Sequence, residues 1–241
     1  MTKAYGENVK CYNCGLSINT KKDLTDEHIP MRCLFTGFKD VIDFKKVITV
    51  PAHFRCNNGE YSNYDAQMRD LIAVLGDLNN KDSLSELYEA AKRGARFNEK
   101  QVSGRCFIFG PNKQLGLVLD KPVLDKLHVK HFKGLFYHEF NYPLPTNFEC
   151  IIYSHNLGLE REPVTFSEKL IDVARNRAFN IVDWKYSGHE DVFKYRINTL
   201  YVNDIRDLKD NDIIICEMFY CNLVYAVVVA GNRDYWRGSL S

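Results

Sequence analysis

The sequence predicts an α+β protein, with a small metal-held module over residues 1–78 followed by a larger α+β domain over residues 79–241 that contains an antiparallel sheet. Three observations carry this. Two pairs of soft metal ligands, Cys11/Cys14 and His53/Cys56, lie in the first quarter of the chain. Helical spacing of apolar residues recurs at Met68, Leu71, Ile72 and Leu75, and again beyond Asp120. Strand-like runs then follow near 148–154, 192–200, 212–219 and 223–230, with a helix near 167–177, as in a sheet backed by helices.

Composition narrows the classes. With 45% hydrophobic and 26% charged residues in 241, the chain is globular rather than disordered. Its formal net charge of +1 makes no global case for a polyanionic partner, so a nucleic-acid surface has to be a local patch. No run of about 18 apolar residues occurs and the N-terminus has no apolar core, which predicts an intracellular, cytoplasmic chain with no membrane partner. In a reducing compartment the eight cysteines favour metal or redox chemistry at C-x-x-C over a disulfide framework. Most of the others read as small buried hydrophobes.

Taken in order, Cys11-x-x-Cys14-Gly15 has the form of a metal knuckle, the glycine supplying the freedom that its turn needs. Glu27-His28-Ile29-Pro30 reads as a short strand ended by proline; His28 directly follows the carboxylates Asp26 and Glu27, which can raise its basicity or share a metal with it. Val47–Val50 is a β-branched strand stopped by Pro51. From Asn57 a helix is expected through Leu75, placing Asn57, Tyr61, Asp65 and Arg69 on one stripe, with an Asp65–Arg69 ion pair as its ordinary meaning.

Residues 76–82 mark the module boundary, and Ser83 to Glu86 fits a capping box for a helix stopped at Gly94. Lys92, Arg93, Arg96 and Lys100 are the densest basic cluster, read either as a solvated helix end or as a phosphate-contacting patch. A hairpin is expected over 105–119, then a helix capped by Asp120 with Pro122 in its first turn. Its histidines, His131 and His138, read as core or interface residues. The apolar runs Ile213–Cys216 and Val227–Val229 do not alternate, which suggests strands buried on both faces.

The ordered set C-x-x-C, D-E-H-I-P, H-x-x-C-N, from Cys11 to about Arg69, resembles the HNH endonucleases of the His-Me finger group. The resemblance implies a treble-clef zinc module of ββα-metal type. It implies structural Zn²⁺ at Cys11, Cys14, His53 and Cys56, and His28 as general base on the water that attacks a phosphodiester. It further implies Mg²⁺ or another divalent ion at Glu27 and Asn57, with Asp26 or Asp65 as additional ligands. Two positions depart from the pattern: Ile48 stands where the family carries a middle asparagine, and Tyr61 where some members place a further histidine.

The expected activity is therefore metal-dependent hydrolysis of nucleic acid, with DNA as the expected substrate. Residues 79–241 would position substrate or form a homodimer. The alternative is a non-catalytic zinc-dependent module that binds nucleic acid or protein; a redox C-x-x-C protein is a third reading, distinguished by the absence of stoichiometric zinc.

Overall fold

The computed structural model describes residues 9–58, 61–98, 106–112, 114–118, 120–156, 182–200, 208 and 211–234. The chain is α+β with antiparallel sheets. A two-stranded hairpin joins β1 (Leu24–Ile29) to β2 (Ile48–His53), running from the pair Leu24 and His53 to the pair Ile29 and Ile48. Two helices follow, α1 (Phe54–Asn58) and α2 (Tyr61–Leu78), and then α3 (Ser85–Asn98). A second hairpin pairs β3 (Cys106–Phe109) with β4 (Gln114–Leu117). Helix α4 (Lys121–Phe140) leads to a five-stranded sheet of order β5-β9-β8-β7-β6. Its strands are β5 (Phe148–Asn156), β6 (Lys185–Tyr186), β7 (Phe193–Leu200), β8 (Ile213–Tyr220) and β9 (Val224–Asn232).

Several elements differ from the sequence expectation for local reasons. Strand β2 runs through Pro51 to His53. The Pro51 carbonyl accepts from Tyr12 N at 3.0 Å, on the edge facing away from β1, so the missing N–H costs the β1–β2 ladder nothing. Helix α2 continues past Gly76 to Leu78 because Leu84 packs directly on that glycine. A single 3₁₀ turn over Asp82–Leu84, not a cap at Ser83, introduces α3, which passes through Gly94 to Asn98. The helix expected near 167–177 lies outside the described residues.

Helix α4 is the organising element. The Asp120 carboxylate accepts from Val123 N at 3.3 Å, Pro122 sits in the first turn, and Asn141 closes the end in the left-handed region at φ 53°. Its buried residues, among them Leu124, Leu127, Lys130, His131, Phe132 and Phe136, cover most of the helix circumference, leaving the side of Pro122, Lys126, Val129, Lys133 and Tyr137 less buried. One side meets the β1–β2 hairpin and the other meets the sheet face formed by Tyr195, Met218, Tyr220, Ala226 and Val228, so one apolar core joins them. Each large side chain so buried contributes about 1.5–3 kcal/mol. His128 and His131 both reach the Tyr220 hydroxyl within this core, at 3.3 and 2.9 Å from their Nδ1 atoms. The opposite face of the sheet carries a second apolar cluster around Ile215, Tyr225, Val227 and Val229, and all of β9 is buried.

The hairpin approaches α4 most closely at Gly134, where an added Cβ would lie 2.6 Å from Ile29 Cδ1 and 2.7 Å from Ile29 Cγ1. Ile29 is itself fully buried. Gly134→Ala is expected to lower the thermal midpoint, since overpacking of about 1–3 kcal/mol exceeds the roughly 1 kcal/mol that alanine adds in helix propensity. A midpoint at or above wild type would mean that hairpin and helix do not share a rigid contact.

Candidate metal centre and the adjoining His28 site

Cys11, Cys14, His53 and Cys56 converge, with one ligand atom of each lying within 4.8 Å of every other. The knuckle brings the first pair together: Gly15 N donates to Cys11 O and Cys11 N to Leu16 O, both at 2.9 Å, with Gly15 at φ +73°. The second pair spans the junction between the last residue of β2 and α1. Cys14 Sγ lies 3.3 Å from His53 Nδ1, close to the ~3.5–3.8 Å edge of a tetrahedral zinc site. His53 Nε2 is 3.2 Å from Ser17 O, so it can donate its proton there and leave Nδ1 free as the ligand.

The electrostatics match a cation at this centre. Burial opposes the Cys11 thiolate, but the backbone N–H groups of Cys14, His53 and Asn13 hold its pKa below the ordinary thiol value. Cys56, by contrast, is pushed up to about 12 by burial and then by the neighbouring Cys11 and Cys14 sulfurs. Thiolates this crowded repel one another unless a metal neutralises them. The donor set therefore fits a metal such as zinc.

Beside this centre lies β1. His28, paired in register with Thr49, is half-buried, and its pKa is lowered by burial and then by the Arg32 guanidinium, against the pull of Asp26. Arg32 itself is exposed. Asn57 is fastened to the same strand: its Nδ2 donates to Thr25 Oγ1 at 3.2 Å and approaches Asp26 O at 3.5 Å. It belongs to α1 and Tyr61, Asp65 and Arg69 to α2, and residues 59–60 between the two lie outside the described residues.

Glu27 faces inward with Ile29, on the other side of the strand from His28. Its Oε1 meets Lys130 Nζ at 2.9 Å, and Asp65 Oδ1 meets the same ammonium at 3.0 Å. Lys130 is fully buried and Glu27 is 4% exposed. Burial raises the pKa of both carboxyl groups, with Lys130 opposing the rise. Asp65 therefore pairs with Lys130, while Arg69 pairs with Asp70. Glu27 Oε2 is buried without a hydrogen-bond partner among the described residues. Asp26 is exposed.

The basic cluster is less coherent than its spacing suggests. Lys92 lies over the Tyr88 ring and 3.7 Å from Glu89, whereas Arg93 is exposed. Arg96 lies within α3 and Lys100 outside the described residues. His131 is fully buried and His138 exposed, so these two do not converge. Sequence reasoning missed Lys130 and Arg32. Lys130 lies on a helix far along the chain from Glu27, and Arg32 lies beyond the proline that ends the His28 strand. Among the described residues no helix is long and apolar enough to cross a membrane. Comparison of the chain with family models, with curated proteins and with solved structures returned no match.

Proposed function

We propose that the chain is an HNH-type, metal-dependent endonuclease that hydrolyses phosphodiester bonds, with DNA as the expected substrate. The observation that carries this reading is the shared anchoring of base and ligand. The Cys11, Cys14, His53 and Cys56 cluster ties the end of β2 to α1, and Asn57, next to Cys56, is hydrogen-bonded to the strand that bears His28. On this reading the knuckle, hairpin and helix form a treble-clef module, and structural zinc serves to hold the site in shape rather than to react.

His28 is suited to the base role because its lowered pKa leaves the imidazole neutral at neutral pH. It takes a proton from water as the water oxygen bonds to phosphorus; the bond from phosphorus to the leaving oxygen breaks, and that oxygen is protonated by solvent. Arg32, exposed and close enough to act on the His28 charge, offers a cation to the phosphate. Mg²⁺ or another divalent ion would supply charge stabilisation at the phosphate, with Asn57 as its candidate ligand and Asp26 beside it, because Glu27 and Asp65 are turned to Lys130 on the other side of the strand.

The test is cleavage of plasmid and single-stranded substrates with added divalent metal. His28→Ala is expected to lose on the order of 10²–10⁴-fold in rate while retaining its fold. Because the His28 pKa is depressed, wild-type cleavage should persist below about pH 6.5, where an ordinary imidazole is protonated, and fall only at lower pH. Equal cleavage by both proteins would sink the assignment. A second reading, a non-catalytic zinc-dependent binding module, is favoured by the Glu27–Lys130 pair, which occupies one oxygen of the expected ligand. It predicts zinc but no divalent-metal-dependent cleavage.

A further inference from the structure

We propose that the outer face of the sheet edge formed by β6 and β7 is a stacking platform for single-stranded nucleic acid. In the part of the proposal that concerns delivery, the platform feeds the strand to His28, which rests on the nuclease reading above. Trp184, Tyr186, Lys194, Arg196 and Phe219 share this face. Tyr186 pairs in register with Lys194, and Lys194 with Phe219. Trp184, one residue before β6, falls opposite Arg196 by continuation of the same register.

Rings and cations alternate across these strands. Arg196 Cζ lies 4.6 Å from the Trp184 ring centroid, and Lys194 Nζ lies 5.8 Å from Trp184 and 5.2 Å from Phe219. Lys46 Nζ donates to the Tyr186 hydroxyl at 3.2 Å and sits 5.5 Å from its ring. Trp184 and Tyr186 nevertheless remain 39% and 41% exposed. Successive same-face positions of a strand are about 7 Å apart, a spacing over which separate bases can stack.

Charge favours a polyanion over an apolar partner. Glu217 on this face is buried and engaged by Arg196 and the Tyr225 hydroxyl, and Glu139 is engaged by Lys185 and Tyr195. Among the described residues, Asp43 lies beside Lys46, the exposed Asp183 precedes Trp184, and the exposed Glu190 and Asp191 lie in the turn between β6 and β7. Lys194 and the exposed Lys45, with Lys46 held between Asp43 and Tyr186, are placed to meet phosphates while the rings meet bases. A flat face with exposed rings reads unstacked bases, which a duplex does not offer.

The platform adjoins the His28 hairpin directly. Ser187, the residue after Tyr186, donates from Oγ to Ile29 O at 2.5 Å and accepts from Ile48 N at 2.9 Å. Gly188 N donates to Lys46 O at 3.1 Å, and Asp43 N to Gly188 O at 3.3 Å. Ile29 is the immediate neighbour of His28 in β1, so the platform and the strand that bears the proposed base are adjoining elements.

The experiment is fluorescence polarisation with labelled oligo(dT) and oligo(U) of about 12 nucleotides, and a duplex of the same length, at fixed salt. The proteins are wild type, His28→Ala, the double variant Trp184→Ala/Tyr186→Ala, and the conservative pair Trp184→Phe/Tyr186→Phe, with cleavage measured in parallel. Wild type is expected to bind single strands more tightly than duplex, and the tighter of the two single strands identifies the sugar. The alanine pair is expected to weaken binding on the order of 100-fold, about tenfold per ring, and the phenylalanine pair to restore most of it. Binding by the alanine pair within about twofold of wild type overturns the platform, as does wild-type preference for duplex or failure to bind either single strand. Loss of binding in the alanine pair, with His28→Ala cleaving as wild type does, leaves the platform standing and removes the nuclease. The reverse pattern removes the platform alone.

Discussion

Cys14→Ala is expected to lose the bound metal and, with it, the fold of the module built on it. A closed site of three thiolates and an imidazole contributes its binding energy to folding, which reaches about 10–16 kcal/mol in isolated zinc peptides. The loss here is smaller, because the knuckle also packs on the rest of the chain. Cys11 and Tyr12 are fully buried, and Lys133 Nζ donates to Asn13 O at 3.3 Å. A loss of about 5 kcal/mol remains a conservative expectation, and in a chain of this size it lowers the thermal midpoint on the order of 10 °C or more. Elemental analysis should show one zinc per wild-type chain and none in the variant, and a strong chelator should reproduce the shift. An unchanged midpoint, with no metal in either protein, would reduce the four residues to packed thiols and a structural histidine.

Lys130→Met should be nearly as damaging. The ammonium lies between Glu27 and Asp65, and removing it leaves a fully buried carboxyl group and a mostly buried one facing each other. Breaking a buried ion pair from one side costs about 3–5 kcal/mol. The pH dependence distinguishes this cause from simple loss of packing. Burial already holds both carboxyl pKa values above their ordinary range, and without Lys130 they rise further. A group whose folded pKa is raised is at its most favourable below the unfolded value, near 4, and costs stability as pH climbs through the folded one. The deficit of Lys130→Met against wild type should therefore be largest near pH 7 and shrink on acidification. Adding Glu27→Leu and Asp65→Leu should recover most of the lost stability at neutral pH. A pH-independent deficit would indicate that the cluster is solvated.

The contrast between these two sites shows what the sequence could disclose. Ligand chemistry restricts residue type and spacing, so Cys11, Cys14, His53 and Cys56 stood out, and the hydrogen bonds from Tyr12 N to Pro51 O and from His53 N to Cys11 Sγ then bring the two pairs together. Glu27 was visible as a carboxylate beside His28, but its environment was not. Strand alternation turns it inward, and its partner lies on α4, in a part of the chain that no local pattern links to β1. The same holds for Trp184 and Tyr186. Strand β6 has two residues and no periodicity of its own, and its placement comes from Ser187 bonding to Ile29 and Ile48. The unbroken apolar runs of β8 and β9 did indicate strands buried on both faces. Pro51 and Gly76 misled because each was read as a terminator, whereas one faces an edge and the other accommodates a close neighbour.

The two histidines that meet Tyr220 inside the core amount to a store of acid sensitivity. Burial lowers the His128 pKa to about 3 and drives that of His131 well below its ordinary value. Folded, both are neutral across the acidic range; unfolded, both take up protons near pH 6.5. Their contribution is thus complete above that value and drains away as pH falls toward the folded pKa, by about 1.4 kcal/mol per pH unit for each histidine. Urea titrations of wild type and a His128→Leu/His131→Leu variant between about pH 7 and pH 5 should show a steeper decline in wild type. Parallel lines would mean that the pair titrates normally. If the slopes differ as expected, the helix that joins the hairpin to the sheet is also where acidification first loosens the protein.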